Sequence, residues 1–140
     1  MKIAFDLDGV LDKPALAELC RTLVRNGVEV HIITGVFDEA GDWQSAEAKR
    51  AKLHRLGVPF RDAELPIFDG GCYSLQLLAV LHVLHAVSES YPRDYRLADL
   101  GLRKGEMCER LGISMIFDDS PTYCEIIPRM AGNTTVLQVR

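Results

Sequence analysis

Short apolar runs alternate with amphipathic stretches along this chain. Strands are predicted where apolar or β-branched runs stop at acidic or turn residues, at 2–7, 28–33, 65–68, 113–117 and 134–139. Helices are predicted where apolar positions recur at helical spacing or run without a break, at 14–26, 43–56, 72–88, 103–111 and 121–130. The order of these elements predicts strands that are connected through helices.

Alternating strands and helices are typical of α/β proteins with a parallel sheet. Crossover connections in such sheets are right-handed, so helices cover both faces. We therefore expect an α/β protein with a three-layer Rossmann-like fold and a mostly parallel central sheet of about five strands. A single domain is expected over residues 1–140, because a chain of this length fits one hydrophobic core.

Composition and charge are those of an ordinary globular protein. Hydrophobic residues make up 48% and charged residues 26%, and the net charge of -4 does not indicate a nucleic-acid-binding protein overall. No signal peptide is predicted, and the apolar stretch 72–87 is shorter than the roughly 20 residues of a membrane span. We expect a cytoplasmic protein with reduced thiols and no membrane segment. The apolar stretch predicts a buried helix or a homodimer contact.

Acidic residues and a threonine–glycine pair lie at the ends of three predicted strands, and they are Asp6 and Asp8, Thr34 and Gly35, and Asp118 and Asp119. Ligands of an open α/β sheet bind beyond the carboxyl ends of its strands, so we expect these residues at one rim. Four clustered carboxylates would raise one another's pKa and destabilise the fold unless a divalent cation lies between them. All-oxygen ligation favours Mg²⁺. On this basis, Asp118→Asn should leave the metal-free protein at least as stable as the wild type.

These residues also have structural interpretations. The pair Asp8-Gly9 could simply end a strand, and Asp118-Asp119 could cap the helix that follows. The spacing of Asp6 and Asp8 favours function, because alternate strand residues point to the same side. One carboxylate can then attack a substrate while its neighbour transfers a proton.

Four segments together resemble the motifs of the haloacid-dehalogenase-like superfamily, in the same order and in the same predicted context. They are Asp6-Leu7-Asp8-Gly9-Val10-Leu11, Ile32-Ile33-Thr34-Gly35, Lys104, and Ile116-Phe117-Asp118-Asp119-Ser120. Together they span most of the chain. The resemblance implies a small-cap or capless phosphohydrolase that depends on Mg²⁺.

The resemblance also implies a role for each matched residue. Asp6 would attack phosphorus and form an aspartyl-phosphate, while Asp8 would protonate the leaving oxygen and then activate water. The substrate phosphate would be bound by Thr34, Gly35 and Lys104, with Arg103 as the alternative to Lys104. The Mg²⁺ ligands would be Asp6, the backbone carbonyl of Asp8, Asp118 and Asp119. Asp119 would touch the metal through water or orient its neighbours.

The sequence leaves little room for a cap. The first predicted helix begins soon after Leu11, so a large insertion between the first two motifs is excluded. Any small cap must lie within residues 36–103. Val36 stands where many relatives carry an arginine, which leaves the substrate open. An open site suits a large substrate or a lid from another subunit.

Six basic residues lie in or near the second predicted helix, and they are Lys49, Arg50, Lys52, His54, Arg55 and Arg61. The default interpretation is a solvated helix face. The alternative is a patch for a polyanionic substrate such as a nucleic-acid end.

A phosphatase that hydrolyses a small-molecule phosphomonoester is the leading hypothesis. The alternatives are a phosphomutase and a catalytically weak phosphate- or metal-binding module on the same fold. A dehalogenase is disfavoured, because dehalogenases of this superfamily lack an acid at the position of Asp8.

Overall fold

A computed structural model describes residues 1–36, 43–58, 60–62, 73–79 and 93–140. Six strands occur in these residues: β1 (Lys2–Phe5), β2 (Glu29–Val36), β3 (Phe60–Asp62), β4 (Tyr73–Ala79), β5 (Met115–Asp118) and β6 (Thr135–Gln138). Four α-helices accompany them: α1 (Pro14–Arg25), α2 (Trp43–Arg55), α3 (Arg93–Leu111) and α4 (Pro121–Met130). A tight turn at Leu7–Leu11 follows β1.

The strands form one sheet in the order β3-β4-β2-β1-β5-β6, and every neighbouring pair is parallel. The predicted α/β class and parallel sheet are therefore confirmed. The described residues contain six strands, where about five were expected. β1 lies between β2 and β5, so the carboxyl ends of these three strands meet at one rim.

Alternate residues of the central strands pack into two hydrophobic clusters on opposite faces of the sheet. Ile3 and Phe5 of β1 join the first cluster, whereas Ala4 joins the second. The first cluster takes in α1 and α2 through Cys20, Val24 and Leu53. The second takes in α3 and α4 through Leu100, Cys108, Tyr123 and Ile127. Each cluster therefore joins the central strands to two of the helices.

The helix predicted at 72–88 is a strand where the structure describes it, because β4 covers Tyr73–Ala79. This prediction was wrong because periodicity alone does not separate a short buried strand from a buried helix. β4 pairs with β3 on one side and β2 on the other. Interior parallel strands typically have continuous apolar sequences, which accounts for the apolar stretch that was predicted as a helix.

The helix predicted at 103–111 begins much earlier, and α3 runs over Arg93–Leu111. Its interior contains Gly101 and Gly105, residues that lower helix propensity. A Cβ at Gly105 would lie 2.5 Å from Met130 Cβ, and one at Gly101 would lie 3.2 Å from Ile126 Cβ. The glycines therefore allow α4 to pack closely on α3, and this tertiary packing outweighs the local preference.

The remaining elements that the structure describes agree with the sequence in type. The helix at 121–130 has the predicted bounds, and the others differ at one or both ends. β1 stops at Phe5, and β2 continues to Val36. The strand predicted at 65–68 lies outside the described residues, as do residues 80–88 of the predicted helix and part of the region 36–103 where a cap was considered. β3 was not predicted. Within the described part of the chain, no helix combines the length and apolarity needed to cross a membrane.

Candidate active site at the strand ends

Asp6 lies where the connections of the sheet change direction. The chain passes from β1 to β2 on one side and later returns to β5 on the other side of β1. Ligands of open α/β sheets bind at such switch points. The Asp6 backbone N–H donates to the Phe117 carbonyl at 2.9 Å, and Asp6 Oδ1 accepts from the Leu7 N–H at 2.8 Å. These bonds fix the orientation of a buried carboxylate.

Lys104 of α3 joins Asp6 to Asp118. Its Nζ is 3.2 Å from Asp6 Oδ1 and 2.6 Å from Asp118 Oδ2. Alternation along the strands explains the meeting, because Asp6 follows Ala4 and Asp118 follows Ile116 on the face that α3 covers. Lys104 and Asp118 are both 0% exposed. The three side chains therefore form a buried ion-paired set.

Arg103, the alternative considered for the phosphate, has a different partner. Its Nε lies 3.1 Å from Asp99 Oδ2, one helical turn away on the same helix. Lys104 is the residue that the structure shows in contact with the acids at the strand ends.

Burial and neighbouring charges shift the pKa values of Asp6 and Lys104. Burial raises the pKa of Asp6, and the Asp118 carboxylate raises it further, although the Lys104 ammonium opposes both effects. Burial works to lower the pKa of Lys104, but the carboxylates of Asp6 and Asp118 outweigh it and the pKa is raised. Lys104 therefore stays protonated at neutral pH despite its complete burial.

Asp118 does not cap the helix that follows it. The N-cap of α4 is Ser120, whose hydroxyl accepts from the Tyr123 N–H at 3.4 Å. Asp118 Oδ1 accepts instead from the Ser120 N–H at 2.9 Å, while Oδ2 faces Lys104. The capping interpretation of Asp118 is therefore not supported by the contacts of its side chain.

Asp119 completes a group of three acids. One oxygen from each of Asp6, Asp118 and Asp119 lies within 4.8 Å of the others, and Asp119 alone of the three is exposed. Burial of its carboxyl and the neighbouring Asp6 carboxylate raise the pKa of Asp119. Gly9 has a φ of 76°, and a Cβ there would overlap the Asp119 carboxylate. Glycine at position 9 therefore permits both the turn and the approach of Asp119.

This donor set fits a divalent cation. Three carboxyl groups converge here, and Lys104 forms ion pairs with two of them, Asp6 and Asp118, in a partly desolvated site. A divalent ion would relieve the repulsion that raises the pKa of Asp6 and Asp119. Carboxylate oxygens are ligands of hard ions, of which Mg²⁺ commonly binds through a few carboxylates.

The Asp8 carboxylate lies outside this group and pairs with lysines of α2. Lys49 Nζ contacts Asp8 Oδ2, and Lys52 Nζ is 2.7 Å from Asp8 Oδ1. Lys52 Nζ is also 2.5 Å from Asp12 Oδ1, and Asp12 Oδ2 accepts from the Gly9 N–H at 2.7 Å. Of the four carboxylates expected to cluster, the structure therefore brings three together.

Thr34 and Gly35 are buried residues within β2, near its carboxyl end. They were expected to follow the strand, but pairing with β4 continues through Val36. Phe5 of β1 pairs with Ile32. Thr34 therefore lies two residues beyond this pair, at the same rim as the acids.

Sequence reasoning did not assign several residues that the structure places at the site. Lys49 and Lys52 were interpreted by default as part of a solvated face, although their separation of three residues on one helix puts them on one side. Asp12 was not singled out. Tyr123 was not singled out either, and its ring centroid lies 4.5 Å from Lys104 Nζ, a cation–π distance. No local pattern identifies that contact, because it depends on how α4 packs against α3.

No protein-family model matches the chain, and no curated protein matches its sequence at a significant level.

Proposed function

We propose that the chain is a Mg²⁺-dependent phosphohydrolase that cleaves a small-molecule phosphomonoester through an aspartyl-phosphate on Asp6. The observation that carries the proposal is the buried Lys104 ammonium between Asp6 and Asp118, with Asp119 beside them. The resemblance of four segments to the haloacid-dehalogenase-like superfamily supports the same function. The proposed fold is the three-layer Rossmann-like arrangement of that superfamily without a large cap, and the proposed location is the cytoplasm.

A purely structural role for the ion pair would not explain the number of carboxylates at this site, their burial or their position in the sheet. One lysine needs one carboxylate for neutrality, yet three carboxylates converge here. Replacing a buried ion pair by apolar residues is often neutral or stabilising, so burial of this set has little value for stability alone. Strongly perturbed carboxyl groups at a sheet switch point are typical of functional sites.

The contacts of the Asp6 side chain support its proposed role as the nucleophile. Asp6 Oδ1 accepts a backbone N–H bond and lies beside Lys104, so the carboxylate has a fixed orientation. Attack on phosphorus would form an Asp6–phosphorus bond while the bond to the ester oxygen breaks. Fixed positioning and charge neutralisation are the main requirements of phosphoryl transfer.

Asp8 is proposed to protonate the departing oxygen and later to take a proton from the hydrolytic water. Its side chain is 49% exposed and can therefore meet both a substrate and water. Thr34, Gly35 and Lys104 are proposed to bind the phosphoryl oxygens. Asp6, Asp118 and Asp119, with the backbone carbonyl of Asp8, would hold Mg²⁺, which supplies charge neutralisation at those oxygens.

The proposal is tested with purified protein and a generic aryl phosphate. Hydrolysis should disappear in EDTA and return with excess Mg²⁺. Asp6→Asn should abolish turnover and any trapped phospho-enzyme, and Asp8→Asn should slow turnover strongly. The matched control is Glu125→Gln, which removes a carboxylate that is 70% exposed on α4 and should leave the rate unchanged.

Other outcomes separate the competing functions. Full activity in EDTA would contradict the metal assignment, and a near wild-type rate for Asp6→Asn would contradict the nucleophile. Mg²⁺ binding without turnover of any phosphate ester would favour the catalytically weak module. Transfer of the phosphoryl group to another hydroxyl of the substrate, without release of phosphate, would indicate a phosphomutase.

A further inference from the structure

Two lysines of α2 lie at the proposed site although they belong to none of the four resembling segments. Lys49 and Lys52 are three residues apart on one helix, and both ammonium groups contact the Asp8 carboxylate. Their side chains are only 15% and 23% exposed. Holding two long side chains in place costs side-chain entropy. The fixed positions of these two side chains therefore need an explanation beyond solvation of a helix face.

The Asp8 carboxylate marks the side of the site from which a leaving group departs, if Asp8 protonates the ester oxygen as proposed above. Because Lys49 and Lys52 contact this carboxylate, they lie on the same side. Both lysines are thus beside the path of the leaving group.

We propose that Lys49 and Lys52 form a subsite for an anionic group on the leaving alcohol, so that the preferred substrates are phosphomonoesters whose alcohol carries a carboxylate or a second phosphate. This inference rests on the proposed function. Two ammonium groups that converge on one carboxylate in the structure can converge on a similar anion of the substrate. Asp8 is half exposed, so a substrate anion can reach the lysines and replace it as their partner.

Asp12 keeps the subsite in place during such an exchange. It accepts the Gly9 N–H through Oδ2 and contacts Lys52 through Oδ1 at 2.5 Å. Lys52 therefore retains one carboxylate partner when a substrate anion replaces Asp8. Lys49 would then be the more mobile contact and Lys52 the fixed one.

The test compares short esters that differ in the charge of the leaving alcohol. The series is phosphoethanolamine, ethyl phosphate, phosphoglycolate and ethylene glycol bisphosphate, in order of increasing negative charge. For the wild type, kcat/KM should rise from phosphoethanolamine to ethyl phosphate and be higher again for the two esters with an anionic alcohol, with phosphoglycolate above ethyl phosphate by about tenfold or more. The last two esters distinguish a carboxylate subsite from a phosphate subsite, because only the preferred anion should give the full gain.

Variants then assign the preference to the two lysines. Lys49→Met and Lys52→Met should reduce the ratio of kcat/KM for phosphoglycolate over ethyl phosphate toward one. This ratio cancels any effect on the chemical step that both esters share. Lys52→Arg, which keeps the charge, should retain most of the ratio. Arg55→Met removes the same charge from an exposed residue of α2 and should leave the ratio unchanged, which also controls for the general charge of the helix.

Binding measurements keep the inference separate from the proposed hydrolysis. Calorimetry on Asp6→Asn should show tighter binding of phosphoglycolate than of ethyl phosphate, and Lys52→Met in that background should remove the difference. Mg²⁺-dependent hydrolysis with no charge preference would overturn the subsite and leave the proposed function standing. Lysine-dependent binding without turnover in the wild type would support the subsite and overturn the hydrolase. Loss of the ratio in Arg55→Met as well would overturn the assignment to Lys49 and Lys52.

Discussion

Lys104 Nζ lies 2.6 Å from Asp118 Oδ2, and neither side chain is exposed to solvent. Removing two charges from water costs several kcal/mol per ion, and only good geometry and further polar contacts offset that cost. Asp6 and the Ser120 N–H provide such contacts at 3.2 Å and 2.9 Å. The stability of the strand ends therefore depends on residues that are also proposed for catalysis.

Lys104→Met should destabilise the protein strongly. The substitution keeps much of the side-chain volume but leaves Asp6 and Asp118 buried with no cation, so the free energy of unfolding should fall by about 3–5 kcal/mol. Urea unfolding without metal measures the change. Lys52→Met is the control, because its ion pairs are partly exposed and their loss should cost about 1 kcal/mol or less. Equal losses in the two variants would contradict the special role of the buried pair.

Gly105→Ala should destabilise the protein although alanine favours helices over glycine. The new Cβ would lie 2.5 Å from Met130 Cβ, so α4 must shift or Met130 must repack, at a cost of about 1–3 kcal/mol. Gly101→Ala is the matched comparison, since its Cβ would lie 3.2 Å from Ile126 Cβ and requires less adjustment. Thermal melting of both variants checks this order. A more stable Gly105→Ala variant would mean that α3 and α4 are not held this closely.

Acidification should weaken the fold through His31. Burial lowers the pKa of His31 below its usual 6.5, although Glu29, whose Oε1 is 2.9 Å from Nε2, opposes the shift. The unfolded chain therefore takes up the proton at a higher pH than the folded protein does. Stability is consequently lost as the pH falls below 6.5 toward the folded-state pKa. Urea unfolding between about pH 7.5 and 5.5 should show the decline for the wild type.

The control for this pH dependence is a second histidine. His31→Gln removes the titrating group and should flatten the profile, whereas His54→Gln changes an exposed histidine of α2 and should not. An identical decline in the wild type and His31→Gln would assign the acid sensitivity to other groups.

The sequence predicts the alternation of strands and helices well because the central strands alternate between two buried faces. Ile3 and Phe5 face α1 and α2, and Ala4 faces α3 and α4, which is the pattern of a sheet covered on both sides. The error at Tyr73–Ala79 has a physical origin, because an apolar run carries no period that identifies the element. Glycine at positions 101 and 105 within α3 is explained only by the close packing of α4, which local sequence preference does not reveal.

The part of the candidate site that lies at the ends of strands could be predicted from the sequence. Asp6 follows β1 and Asp118 ends β5, and these two strands are adjacent and parallel, so their meeting follows from the order of the sheet. Contacts between helices and this rim were not predictable in the same way. Lys104 was expected at the start of a helix and lies well inside one, and the pairing of Lys49 with Asp8 joins residues that are 41 positions apart.

The contrast between Asp118 and Asp119 provides the sharpest test of the metal site. From the sequence, removal of the Asp118 charge was expected to relieve repulsion. The structure reverses that expectation, because Lys104 is buried against Asp118 and would keep only Asp6 as an anionic partner at 3.2 Å. Asp118→Asn should therefore lower the stability of the metal-free protein. Asp119→Asn should leave it unchanged or raise it, since burial and Asp6 raise the pKa of this exposed acid.

Addition of Mg²⁺ should distinguish ligands from structural residues in the same two variants. The ion binds the folded arrangement, so wild type should gain about 2.7 kcal/mol of stability at a hundredfold excess over Kd. Both variants should lose much of this gain and much of the activity, although only Asp118→Asn should lower the metal-free stability. Melting curves with and without Mg²⁺ measure the gain, with Glu125→Gln as a control that should keep all of it. An unaltered gain in either variant would remove that residue from the metal site, because a lost ligand must weaken the binding that produces the gain.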